Sequence, residues 1–122
     1  MVKLKEVQKM KNIRILLLEP QKDLKEINLN NLSNNEIKKL IDCEEFGNVL
    51  CEKLNNENIE ILVDIQGQSK EENITLLKNG NVQVTLHGNV LFVGKDDNFN
   101  LIGLNQNQIN IINEMHSNMQ EI

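Results

Sequence analysis

Few side chains in this 122-residue sequence could make or break a bond. Cys43, Cys51, His87 and His116 are its only thiols and imidazoles, and seven residues separate the two cysteines. Neither cysteine belongs to a C-x-x-C pair, and a four-ligand zinc site drawn from all four side chains fits no familiar spacing. Cys51 with His87 could pair in space, but a reduced thiol in an aliphatic chain behaves first as a small core residue. Among the hydroxyls, Ser33 stands where a helix starts and Ser69 lies in a polar stretch without a nucleophile-elbow pattern. Ser117 adjoins His116 on a helix, where neighbours point apart. Carboxylates gather as Asp42, Glu44 and Glu45, as Glu71 and Glu72, and as Asp96 and Asp97. None of these groups has the apolar setting that raises one carboxyl for acid catalysis. Glycine-rich phosphate loops are absent. The residues read as a non-enzyme with no metal and no cofactor.

Composition narrows the partners. One Arg, no Trp, no Tyr and a net charge of −5 are the wrong equipment for nucleic acid, which needs clustered cations and stacking rings. Lys3, Lys5, Lys9, Lys11 and Arg14 against Glu6 give residues 1–14 a charge of +4, which leaves −9 on residues 15–122. An acidic body repels nucleic acid and anionic lipid and favours encounter with basic protein surfaces. No apolar run approaches a membrane span, and the longest, residues 15–18, is too short for a signal peptide. A cytoplasmic protein is expected. Asn at 21 positions reflects a codon bias more than a function.

The elements that must position these residues follow from periodicity. Residues 1–9 form a basic leader before Met10, itself an alternative start, and residues 10–122 form a single domain. Residues 13–19 are apolar on both faces and suit a central strand. Pro20-Gln21-Lys22-Asp23 turns the chain into a partner strand carrying Ile27 and Leu29. Ser33-Asn34-Asn35-Glu36 is a capping box with Leu32 and Ile37 as its staple, opening a helix that should run to Phe46 and close on Gly47. Residues 48–54 and 59–65 alternate as a hairpin, with Ile59, Ile61, Val63 and Ile65 facing the core. Residues 66–73 are a polar loop. Asn79-Gly80 makes a hairpin turn, Gly88 and Gly94 bracket a strand, and Lys95-Asp96-Asp97-Asn98 turns into a short strand over residues 99–104. Asn105 with Gln108 opens a closing helix whose stripe is Ile109, Ile112, Met115, Met119 and Ile122. The result is an α+β fold, mainly an antiparallel sheet of hairpins with two helices packed on it.

Ile13-Arg14-Ile15-Leu16-Leu17-Leu18-Glu19-Pro20 resembles the opening of a small domain-of-unknown-function family of phages and mobile elements in low-GC Gram-positive bacteria. Gly88-Asn89-Val90-Leu91-Phe92-Val93-Gly94, followed by Asp97, Phe99, Leu101, Leu104 and Ile109, is similar to that family's glycine-bracketed strand, acidic turn, aromatic strand and closing helix. The resemblance covers both ends of residues 10–115, while an Asn-Arg pair that goes with the family is missing from the middle. It implies a fold and a mobile-element setting, and no catalytic residue.

Two features ask for more than a structural role. Asp42, Glu44 and Glu45 crowd the end of the first helix, where the macrodipole disfavours negative charge. With Asp96 and Asp97 they are the candidate partner-binding carboxylates. Ile112, Met115, Met119 and Ile122 offer a helix face that could pack on the domain itself, on a second copy or on a partner. The leading expectation is an inhibitor of a host defence system, of the anti-CRISPR or anti-restriction kind, occluding a basic surface of a nucleic-acid-handling protein. One alternative is an oligomer that sequesters a nucleotide signal through Phe92, Phe99, Arg14 and scattered lysines. Another is an accessory or assembly protein of the element.

Overall fold

An extended segment with apolar residues on both faces can settle only where both faces are covered. In the computed structural model, which describes residues 12–79 and 82–120, Ile13–Leu18 forms β1 with Ile15, Leu16, Leu17 and Leu18 all buried. The turn after it closes with the Lys22 amide on the Glu19 carbonyl at 3.2 Å. Lys25–Leu29 then returns antiparallel as β2, Ile27 opposite Ile15 and Leu29 opposite Ile13.

Helix α1 (Asn34–Ile41) starts as the sequence suggests. The Ser33 hydroxyl accepts from the Glu36 amide at 3.2 Å, and Ile37 and Ile41 turn inward. It ends at Ile41, five residues before the expected Phe46. Asp42 takes the left-handed closing position at φ 62°, and the Cys43 amide donates to the Lys38 carbonyl. Asp tolerates this conformation better than most residues, and stopping there frees Phe46–Val49 to extend as β3.

Residues 48–54 do not continue as a strand. Glu52–Asn55 winds into a short helix, α2, with Leu54 fully buried beneath it, and the antiparallel return is β4 (Ile59–Asp64). Ile65 lies outside the core at 53% exposure. Asp64 ends the strand by accepting from the Gln66 amide at 2.9 Å. A single 3-10 turn at Gly67–Ser69 leads into β5 (Glu72–Asn79), which pairs with β6 (Val82–His87) as a separate two-stranded sheet. Gly80 of the expected Asn-Gly turn lies outside the described residues, as do residues 1–9 and Ile122.

The main sheet runs β2-β1-β7-β4-β3, where β7 is Val90–Lys95 and β8 (Leu101–Ile102) pairs with the end of β7. The centre is therefore β7, buried from Val90 to Gly94, with β1 beside it. Period-two alternation sends Ile15, Leu17, Leu62, Leu91 and Val93 to the face covered by α1. Leu16, Leu18, Ile59, Ile61, Val90 and Phe92 go to the opposite face. There they meet Leu54, the β5-β6 hairpin through Ile74, Leu76 and Leu86, and the closing helix α3 (Gln106–Gln120) through Ile109 and Ile112.

Helix α3 begins with the reciprocal pair foreseen. The Asn105 side chain accepts from the Gln108 amide and the Gln108 side chain accepts from the Asn105 amide, both at 2.8 Å. Gln108 is also the one buried polar side chain among the described residues. Its Nε2 donates to the carbonyls of Glu57 and Asn58, tying the helix to the turn before β4. The fold is α+β, with three helices among the described residues where the sequence suggested two.

Candidate functional site

Helix α1 spans only eight residues and cannot cover the whole sheet face beneath it. At the β3 side of the sheet, a groove of about 560 Å³ is lined by the apolar Phe46, Leu50, Leu62, Phe99 and Leu101 and by Asn48, Asn55, Glu60 and Lys95. Glu60 and Lys95 pair at 3.2 Å with little exposure, and Lys95 also donates to Asn55. The ammonium lies 5.8 Å from the centre of the Phe99 ring.

Phe99 is 78% exposed and has φ 63°, a conformation that a bulky residue adopts only when its surroundings impose it. Asp96 imposes it. Its Oδ1 accepts from the amides of Asn98 and Asn100, both at 2.9 Å, and its Oδ2 from the Asn100 side chain at 3.2 Å. The Phe99 amide closes the turn on the Asp96 carbonyl at 3.0 Å. These donors, the Asn100 amide first, hold the Asp96 carboxyl below the usual carboxylate range. Asp96 is thus a turn-holding residue, and the exposed neighbouring carboxylate is Asp97.

Glu44 and Glu45, both exposed, lead directly into β3 and Phe46. Glu44 and Glu45 precede Phe46 in the chain and Asp96 and Asp97 precede Phe99, but none of these four carboxylates lines the groove. Asp42 stands apart from it. Together with Glu44 it lines a second, shallower depression of about 480 Å³ with Lys38, Lys39, Cys43, Asp64 and Gln66. Charge there is mixed. Lys70 binds Asp64 at 2.9 Å and donates to the Asp42 carbonyl. The Asp64 carboxyl is held low by the Gln66 amide and by Lys70, whereas burial pushes the Cys43 thiol up, away from the reactive thiolate.

The helix-face residues divide. Ile112 is fully buried in the domain's own core, and Met115 is half-buried against it, so Ile112 cannot belong to a partner-binding face. The reason is that α3 covers the sheet face opposite α1 through Ile109 and Ile112. The side chains of Met119 and Ile122 lie outside the described residues. Cys51 is buried in the same core, both thiols are free, and His87 Nδ1 lies 3.0 Å from the Lys70 carbonyl. Among the described residues, no group of three or more His, Cys, Asp and Glu could hold a metal ion.

Sequence reasoning did not find Phe46, Leu50, Phe99 and Leu101 as a group. The usable signal was local: the turn Asp96-Asp97-Asn98-Phe99 puts an aromatic residue where glycine normally relieves a positive φ.

No helix among the described residues is long and apolar enough to cross a membrane. No curated protein matches the chain, and no solved structure does. A family model described as a domain of unknown function, DUF3846, matches residues 13–117, from the first residue of β1 into the closing helix. The chain belongs to that family.

Proposed function

We propose that this is a non-enzymatic binding protein, encoded by a phage or mobile element, that inhibits a host defence protein by occluding a basic surface. The observation that carries the reading is Phe99, locked outward at 78% exposure by an acidic turn at the rim of an apolar groove. An exposed aromatic fixed before contact is the kind of anchor that dominates protein interfaces, because little conformational freedom is lost on binding. The charge of −9 on residues 15–122 supplies long-range attraction toward a basic partner. The ionisable side chains that line the groove, Glu60 and Lys95, are engaged with each other at 3.2 Å, which favours contact over chemistry. The host cytoplasm is where such a partner would be met.

The nucleotide-sequestering reading has less support. Phe92 is buried in the core, and Arg14 is bonded to Glu26 at 2.8 Å and to Gln106 at 2.9 Å. Of the side chains it would use, Phe99 is the ring left available for stacking.

Pull-down from a host lysate at low salt tests the proposal. Wild-type protein should retain a nucleic-acid-handling protein that Phe99→Ala releases, with both forms equally folded by circular dichroism. Recovery of no such protein, or equal recovery by both forms, overturns it.

A further inference from the structure

The main sheet has two borders, and they differ. On β2, Lys25 and Glu26 are exposed and Glu26 is held by Arg14 at 2.8 Å, the kind of charged border that keeps stray strands away. On β3 the residues are Phe46, Gly47, Asn48 and Val49, with no charge, no proline and an unbroken register against β4. The ladder extends one step further, since the Ile65 amide donates to the Glu45 carbonyl at 3.3 Å. Bonded pairs alternate along an antiparallel ladder. Glu45, Gly47 and Val49 therefore turn their main-chain groups toward β4, and Phe46 and Asn48 turn theirs outward. Among the described residues no strand pairs with that outer side. Phe46 and Asn48 also line the groove beneath Phe99.

We propose that β3 accepts an extended segment of the partner as an added strand, its backbone bonding to Phe46 and Asn48 and its apolar side chains entering the groove beside Phe99. This rests on the protein-binding reading above and specifies its mode. Charge identifies the occupant. Glu44 and Glu45 lead into β3, Glu52 follows it and Asp97 adjoins Phe99, all exposed. A second copy of this chain would bring the same carboxylates to the border, whereas a segment alternating basic and apolar residues complements them.

The test is amide hydrogen exchange followed by NMR at low salt, with three end-blocked peptides. One alternates lysine and valine, one alternates glutamate and valine, and the third is the lysine peptide N-methylated at every second amide. The lysine peptide should slow exchange at Phe46 and Asn48 by about tenfold or more and leave Gly47 and Val49, already bonded to β4, little changed. The other two peptides should not. Asn48→Lys, which gives β3 the charge that β2 has, should weaken binding of the lysine peptide about tenfold. Failure of the lysine peptide to bind overturns strand addition. Binding without protection at Phe46 and Asn48 also overturns it, and leaves the binding reading to stand or fall by the Phe99→Ala pull-down. Equal protection by the glutamate peptide removes the basic occupant. Protection that grows with protein concentration in the absence of peptide assigns the border to a second copy instead.

Discussion

At the scale of single residues, the local geometry of Phe99 opposes stability. A left-handed conformation costs a bulky residue about 1 kcal/mol or more, and here the ring recovers little by burial. Phe99→Gly should therefore raise stability by about 1 kcal/mol in urea unfolding while abolishing partner retention. A loss of stability would show that the ring has a structural task. Asp96 carries the opposite signature. Its carboxyl is held low in the folded state, so the stability it contributes is complete above the ordinary carboxylate range and is lost as pH falls through its lowered value. Asp96→Asn should be less stable than wild type at neutral pH and should show a flatter decline with acid. The turn itself was legible, because Asp-Asp-Asn is turn chemistry by composition. The outward ring was not, since its φ follows from three hydrogen bonds to one carboxylate that no residue pattern announces.

At the scale of elements, what could be read from sequence was what local contacts determine. Ser33 capping α1 and Asn105 with Gln108 opening α3 each involve residues three apart, so the pattern and the bond coincide. Helix α2 was not legible, because residues 48–54 alternate like a strand and Leu54 becomes helical only when the layer of β5, β6 and α3 is present to bury it. The end of α1 was misplaced for a related reason: Phe46 is needed in β3, a demand made by β4 and not by the helix. Gln108 joins both scales. It accepts from the Asn105 amide and donates to two carbonyls before β4, so Gln108→Leu would remove three hydrogen bonds at once, with only the Asn58 carbonyl keeping a second donor, the Lys95 amide. A loss of about 2–3 kcal/mol is expected in thermal or urea unfolding, well beyond an ordinary surface substitution.

At the scale of the whole molecule, one sheet separates two apolar clusters, and charge is distributed independently of both. The candidate carboxylates were legible as residue types, while the groove itself depended on β3 lying beside β4 and on the turn after β7. Their attraction for a basic partner is screened by salt over roughly 8–10 Å at physiological strength. Raising salt should therefore slow association far more than it speeds dissociation, and Phe99→Ala should do the reverse, which surface plasmon resonance on an identified partner would separate.

Among the described residues, the β5-β6 hairpin shares no ladder with the main sheet. Its polar seam includes Asn73, whose Nδ2 donates to the carbonyls of Leu18 at 2.8 Å and Gly88 at 2.7 Å, and the Gly88 amide on the Glu71 carbonyl. One carboxamide thus clasps the end of β1 to the corner between β6 and β7. Lifting the two-stranded unit would require that clasp to open and Ile74, Leu76 and Leu86 to give up their burial, whereas α1 packs on the other apolar cluster and would not be disturbed.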